Sequence, residues 1–147
     1  MHRKIRVLYV IPAEGFGGAE RQALFHLREL PHYDVDIIAV TGPGKKVYNN
    51  IEKEGVAVHY CKSFPYEYGK PFNVLTYVIH VIVTFYCFIR TFKFLSDLVK
   101  KECIDIIFAS RATGWILAAP IAKLFKIPCI WRFGSRVHGS QTRFFLR

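Results

Sequence analysis

A glycine-rich turn that opens a helix is the segment of this sequence best suited to hold an anionic ligand. Gly17 and Gly18 directly precede a helical pattern that begins at Ala19. The first backbone N–H groups of a helix have no intrahelical partner, and the helix dipole adds partial positive charge there. The turn therefore favours a phosphate group or a substrate oxygen, although a tight strand-to-helix connection would also use glycine here.

Basic side chains supply the other candidate contacts for an anion. Arg111 follows the fourth predicted strand, whereas Arg132 and Arg136 lie at and beyond the end of the fifth. An arginine can bind a phosphate through two parallel hydrogen bonds. Further candidates near the same strand ends are Ser110, Gly134, Ser135 and His138. The sequence identifies no catalytic residue.

The motifs exclude several classes of nucleotide-binding and metal-binding protein. The turn is not GxGxxG, and Thr41 and Gly42 stand where a dehydrogenase would carry a ribose-binding acid. The lysine of a phosphate-binding P-loop is also missing. The four cysteines include no CxxC pair, so we expect no zinc site and no other metal. A nicotinamide dehydrogenase and a P-loop NTPase are therefore disfavoured.

The elements that would position these residues alternate between strands and helices. Strands are predicted at residues 5–11, 34–41, 56–60, 104–110 and 127–133, and helices at 19–30, 47–53, 72–102 and 113–125. This alternation predicts an α/β fold, a Rossmann-like doubly wound parallel sheet of order 3-2-1-4-5 in a single domain of residues 1–147. Such sheets bind ligands beyond the carboxyl ends of their strands, at the switch point between the first and fourth.

A family resemblance makes the glycine turn more specific. Gly17, Gly18, Ala19, Glu20 and Arg21 open a helix after a strand that a proline ends, which resembles the N-terminal domain of family 4 glycosyltransferases. The segments IEKEGVAVHY, KKECIDIIFAS and LFKIPCIWRFGS agree, so the resemblance covers about residues 5–135. Members of that family are retaining, nucleotide-sugar-dependent enzymes with the two-domain GT-B fold.

The resemblance implies the roles of several residues. Gly17 and Gly18 would lie against the donor phosphates and the transferred sugar, and Glu20 would complement the helix dipole. Where many members carry a histidine after strand five, this chain has Arg132 and residues 133–135, with His138 following. The implied substrates are a nucleotide sugar and a glycan or lipid-linked acceptor, in cell-surface polysaccharide biosynthesis, with no cofactor.

The resemblance covers only one half of a GT-B enzyme. The C-terminal domain of that fold holds most of the nucleotide and carries an E-x7-E element, which is absent from this sequence. We therefore expect this chain to be the acceptor-side domain and to show no transferase turnover by itself. A C-terminal half-domain partner would complete the enzyme. The alternative is a non-catalytic Rossmann-like binding or interaction module.

The charge of the chain also suggests an anionic partner. The formal net charge is +10, and no acidic residue follows Asp105. An anionic membrane surface fits this surplus, as does a merely solubilising surface. No nucleic-acid-binding motif is present, so nucleic acid is not an expected partner. The apolar run after Arg6 is too short for a signal peptide, so we expect the chain to be cytoplasmic. Peripheral attachment to the inner face of the membrane is compatible with this prediction.

One long predicted helix raises the membrane question directly. No charged residue lies between Lys70 and Arg90, which meets the length of a membrane span. A weakly polar stripe at three- and four-residue spacing instead favours a crossover helix that packs its other, apolar face on the core. A helix lying on an anionic membrane surface is the intermediate interpretation, because basic residues follow the aromatic ones.

Overall fold

The structure, a computed structural model, describes residues 3–13, 15–65 and 73–132. Its strands are β1 (Ile5–Ile11), β2 (Val35–Thr41), β3 (Ala57–Tyr60), β4 (Ile106–Ser110) and β5 (Cys129–Arg132). Its α-helices are α1 (Gly18–Glu29), α2 (Lys45–Lys53), α3 (Val74–Lys101) and α4 (Arg111–Phe125), with a 3₁₀ helix at Leu30–Tyr33. The strands pair in parallel in the order β3-β2-β1-β4-β5, which confirms the predicted doubly wound sheet.

The strand order places helices on both sheet faces. Alternate residues of the central strand β1 point to opposite faces, as Leu8 and Tyr9 do. Leu8 packs with Leu95 of α3 and Leu117 of α4, whereas Tyr9 packs with Leu27 of α1. The two halves of the chain thus cover opposite faces, and the order of the strands reverses between β1 and β4. This reversal is the switch point at which open α/β sheets bind ligands.

A carboxylate fixes the alignment of β1 and β4 at the amino edge of the sheet. The Arg6 N–H donates to Asp105 Oδ2 at 2.9 Å, and Arg3 Nη2 donates to Oδ1 at 2.8 Å. In return, the Asp105 N–H donates to the Arg6 carbonyl at 2.9 Å. The Arg6 N–H, followed by the charge of Arg3, holds the pKa of Asp105 below its usual range. These bonds turn the chain, so β4 begins at Ile106 and not at the predicted residue 104.

We expect Asp105→Asn to lower the free energy of unfolding at pH 7 more than at pH 2.5. A carboxyl whose pKa falls on folding stabilises the fold above its unfolded pKa, and that contribution is lost as the pH falls through the folded pKa. Urea unfolding at both pH values measures the difference. Asp97→Asn, at an exposed position of α3, is the matched control. A loss for Asp105→Asn that is equal at both pH values would contradict the ionic role.

The prediction that α3 packs on the core is wrong for most of its length. Its buried residues are Thr91, Leu95, Leu98 and Val99, all in the second half. In the first half, Val74 is 80% exposed and Phe85 is 65% exposed. A helix of 28 residues is about 42 Å long, whereas a seven-residue strand spans about 23 Å. The sheet is too short to cover the first half, and α3 is long and apolar enough to cross a membrane by length and composition.

Candidate ligand site at the carboxyl edge

The glycine turn, residues 15–18, and the start of α4 meet where β1 and β4 end. Val10 pairs with Ala109 in the sheet, and Ser110 follows directly. The Ser110 hydroxyl donates to the Val10 carbonyl at 3.0 Å and is buried. Ser110 therefore joins the two strand ends and directs its hydroxyl into the fold.

The two adjacent glycines of the turn have different local surroundings. Gly17 is the N-cap of α1, and its N–H donates to Glu20 Oε2 at 2.8 Å. A Cβ on Gly17 would lie 3.1 Å from that same oxygen, so glycine permits the close carboxylate. A Cβ on Gly18 would meet no atom within 4 Å, and Gly18 is exposed. The space over Gly18 is open to a ligand at the positive end of α1.

The buried Glu20 carboxylate links the glycine turn to Arg111. Glu20 is 2% exposed, although it lies in the first turn of a surface helix. Arg111 Nη2 donates to Glu20 Oε1 at 2.9 Å, and the Gly17 N–H satisfies the other carboxylate oxygen. A buried carboxylate requires such partners, because losing water is costly for a charge. The Arg111 side chain remains half exposed, and a guanidinium has five N–H donors, so it can bind a further acceptor while it keeps its bond to Glu20.

The sequence interpretation of Glu20 as a simple dipole-complementing residue missed its burial and its bond to Arg111. A signal was present in the spacing of α1. Glu20, Ala23 and Leu27 fall three and four residues apart, on one side of the helix, and all three are buried. A carboxylate on the buried side of a helix calls for a cationic partner from another element, and Arg111 provides it.

The backbone at Arg111 has an uncommon conformation. Its φ is +62°, in the left-handed region that non-glycine residues rarely adopt. Helix α4, which begins at Arg111, lies close to the end of β1: a Cβ on Gly114 would lie 3.2 Å from Pro12 Cδ. Such a conformation costs about 1–3 kcal/mol, and residues that retain it cluster at ligand sites.

Arg132 acts on an aromatic cluster rather than on the glycine turn. Tyr9 is fully buried, stacks on Phe108 with ring centroids 4.6 Å apart, and places its hydroxyl 3.1 Å from His26 Nδ1. Burial raises the pKa of Tyr9, and the nearby Arg132 guanidinium partly offsets this. Burial lowers the pKa of His26, and the Arg132 charge lowers it further. Arg132 thus points to the sheet face that α1 covers.

The predicted site residues therefore fall into three groups. Gly17, Gly18 and Arg111 lie around the same turn, with Ser110 beneath them at the strand ends. Arg132 lies on the outer strand β5 and influences Tyr9 and His26. The remaining candidates, Gly134, Ser135, Arg136 and His138, lie outside the described residues.

The described part of the chain offers neither a metal site nor a second anion site with an uncommitted arginine pair. Residues 3–13, 15–65 and 73–132 contain no group of three or more His, Cys, Asp or Glu side chains that could hold a metal ion. An open depression of about 680 Å³ lies at the opposite, amino edge of the sheet, beside Arg28 and Glu54. Arg28 Nε and Nη2 both donate to the Glu54 carboxylate, at 2.6 and 2.5 Å, whereas Arg111 donates to Glu20 through Nη2.

Comparison with known proteins identifies the fold. A glycosyltransferase from Rickettsia africae superposes with a TM-score of 0.66 at 18% identity, over 98% of this chain and 34% of its own. The Anabaena protein Alr3699/HepE, solved with UDP and glucose, gives 0.55 at 13% identity, over 86% of this chain and 29% of its own. The C-terminal domain of the PF1911 hydrogenase from Pyrococcus furiosus gives 0.62 at 12% identity, over 90% of this chain and 94% of its own.

These similarities are of structure and not of sequence. No protein-family model matches the chain, and no curated protein matches it. The chain spans about a third of the length of the Rickettsia africae and Anabaena proteins, whereas it matches nearly the whole of the hydrogenase domain. The chain therefore has the fold of one Rossmann-like domain, of the kind from which GT-B glycosyltransferases are built.

Proposed function

We propose that this chain is the acceptor-side domain of a retaining, family 4 glycosyltransferase. The enzyme would transfer a sugar from a nucleotide-sugar donor to a glycan or lipid-linked acceptor in cell-surface polysaccharide biosynthesis. One observation carries the proposal: Arg111, fixed at 2.9 Å by the buried Glu20, stands beside an unobstructed helix N-terminus at Gly18. This arrangement places a half-exposed guanidinium and backbone N–H donors at the edge of the sheet where such folds bind ligands.

The geometry suits stabilisation of a departing nucleoside diphosphate. Transfer leaves negative charge on the diphosphate, and fixed donors that face this charge lower the barrier. Gly18 and its neighbours in the first turn of α1 would supply backbone N–H groups, and Arg111 would supply a guanidinium. Because Glu20 already orients Arg111, little reorganisation is needed when the charge develops. These groups need no metal or other cofactor to bind a phosphate.

The proposed enzyme needs a second domain. A C-terminal half-domain, within the same polypeptide or as a separate partner, would hold the rest of the nucleotide and close the cleft. We expect the 147-residue chain to show no sugar transfer alone. The four thiols are free, which suits the reducing cytoplasm in which we place the chain.

A non-catalytic binding module is the second candidate. The match to a hydrogenase domain from Pyrococcus furiosus shows that a similar fold also occurs in a protein not named as a glycosyltransferase, so the fold by itself does not decide between the two. Radiolabel transfer from a nucleotide sugar, once a C-terminal half-domain is supplied, distinguishes the two candidates. Transfer supports the enzyme, and its absence with a well-folded second half supports the module.

Calorimetric titration with UDP and with uridine tests the ligand site itself. We expect UDP to bind and uridine to bind much more weakly, because the site recognises phosphate. Gly18→Ala should weaken UDP binding roughly tenfold, since its methyl group would occupy the open space and a lost charge-assisted hydrogen bond has about that effect. Gln22→Ala, at an exposed position of α1 beyond its first turn, is the matched control. Equal binding of UDP and uridine, or an equal loss in both variants, would contradict the site.

A further inference from the structure

In the first half of α3 the apolar residues face outward and the polar residues face inward, the opposite of the usual arrangement in a surface helix. Its half-buried side carries polar and small residues, namely His80, Thr84 and Cys87. Its outward side, here called the apolar arc, consists of Val74, Leu75, Val78, Ile79, Val81, Ile82, Phe85, Tyr86 and Ile89, each 47–80% exposed. An apolar surface of this extent on the outside of a helix indicates a binding surface.

The apolar arc continues into a basic stripe on the same side of α3. Lys93 follows Leu75 by 18 residues and Lys100 follows Ile82 by 18, which is about five full turns in each case. Both lysines are exposed. Among the charged residues of α3, Asp97 is the single acid against four basic residues, the other two being Arg90 and Lys101. The surface therefore combines apolar insertion with attraction to anionic groups.

Helix α4 adds a second apolar stripe to the same side of the molecule. Ile116, Pro120 and Leu124 recur every four residues and are all exposed. Because α3 and α4 pack side by side on one sheet face, both stripes point away from that face. A flat, extended partner covers two neighbouring helices better than a single partner helix would. The adjoining Lys123 is exposed as well, which adds positive charge.

We infer that this surface binds an anionic lipid bilayer, with α3 lying in the plane of the interface. The apolar arc enters the acyl-chain boundary, while Lys93 and Lys100 contact the lipid headgroups. This inference rests on the exposed surface of α3 and α4 and does not depend on the proposed transferase activity.

A complete crossing of the bilayer conflicts with the way α3 is tied to the sheet. The Thr91 hydroxyl donates to the Ser63 carbonyl at 2.5 Å, so the chain before α3 starts beside the middle of the helix. The helix rises about 25 Å from Val74 to Thr91, less than the roughly 30 Å of a bilayer core. A crossing would also take the charged residues Glu67 and Lys70, which precede α3 in the sequence, toward hydrocarbon. An in-plane helix avoids both costs.

Sedimentation with lipid vesicles tests the inference. We expect the chain to bind vesicles of phosphatidylcholine mixed with phosphatidylglycerol more strongly than vesicles of phosphatidylcholine alone. Ile82→Glu should lower partitioning at least tenfold, because a buried apolar side chain is replaced by a charge. Tyr33→Glu, which changes a large hydrophobic residue on the 3₁₀ helix that is even more exposed than Ile82, should have little effect. Lys100→Gln should reduce binding to the anionic vesicles about fivefold, whereas Lys45→Gln on α2 should not.

Depth measurements distinguish the orientations of the bound helix. Tryptophan is introduced at Leu75, Ile82 or Ile89, and its fluorescence is quenched by lipids brominated near or far from the headgroup, relative to the parent chain. An in-plane helix predicts preferential shallow quenching at all three positions. Deep quenching at Ile82 alone would overturn the in-plane orientation in favour of a span. If the chain does not bind vesicles but forms a dimer without lipid, and Ile82→Glu disrupts that dimer, the partner of this surface is a second copy of the chain and not a bilayer.

Discussion

Arg111→Ala is expected to weaken UDP binding by about ten- to a hundredfold while the chain remains folded. The guanidinium is the cationic group that the structure fixes beside the glycine turn, at 2.9 Å from Glu20 Oε1. A hydrogen bond to a charged group contributes about 1.5–3 kcal/mol, which corresponds to that loss of affinity. The Gly17 N–H still donates to Glu20 Oε2 in this variant, whereas Oε1 loses its cationic partner, so a lower free energy of unfolding accompanies the loss of binding.

Arg111→Gly separates the effect of charge from that of backbone conformation. Because φ is +62° at this position, glycine should make the fold about 1 kcal/mol more stable than alanine does. Both variants lack the guanidinium, so their UDP affinities should be equally low. Restored binding in the glycine variant would show that the backbone matters and the charge does not.

Glu20→Gln tests whether the ion pair orients Arg111. The amide oxygen can still accept from the Gly17 N–H, but the charge that holds Arg111 is lost. Calorimetry should show a UDP affinity between those of the parent chain and Arg111→Ala. In a double-mutant cycle, Glu20→Gln should add little to Arg111→Ala, since the two residues act on the ligand through the same group. Additive losses would contradict the positioning role of Glu20.

Tyr9→Ala is expected to cause the largest loss of stability in the sheet, about 3–5 kcal/mol. The side chain is fully buried at the centre of β1 and stacks on Phe108 at 4.6 Å. Tyr9→Phe keeps the ring and removes only the hydroxyl that meets His26 at 3.1 Å, so about 1 kcal/mol is expected. Urea unfolding at pH 7 measures both changes.

The comparison of the two Tyr9 variants has a definite contradicting outcome. If Tyr9→Phe costs as much as Tyr9→Ala, the polar contact with His26 dominates and the packing account of the cluster is wrong. A loss of UDP binding in Tyr9→Phe, with stability preserved, would instead place this cluster in the ligand site.

The sequence predicted the sheet well because strand and helix patterns are local. Apolar runs, and the glycine or proline that ends them, define the five strands within a few residues, and right-handed crossovers then restrict their order. The carboxyl-edge site follows from that order, so the convergence of Gly17, Gly18 and Arg111 required no further information. The position of the glycine turn in the fold could thus be predicted from the sequence.

Burial and side-chain direction were less predictable, because neighbouring elements decide them. The polar stripe and the apolar arc of α3 were visible in the sequence, but periodicity cannot show which side faces the sheet. The shortness of the strands leaves the first half of α3 uncovered, and the bond between Thr91 and Ser63 marks where contact begins. Likewise, Arg132 lies at the end of β5, but strand alternation turns it to the face of Tyr9.

An NMR titration of the ¹⁵N-labelled chain with UDP tests the ligand site most directly. The predicted result is saturable shifts of the Gly17, Gly18 and Arg111 backbone amides, with the Gly55 amide at the opposite edge unchanged. Uridine at the same concentration should leave the three amides in place. Saturable shifts at Gly55 and its neighbours, with none at Gly18, would move the site to the amino edge and contradict the proposal.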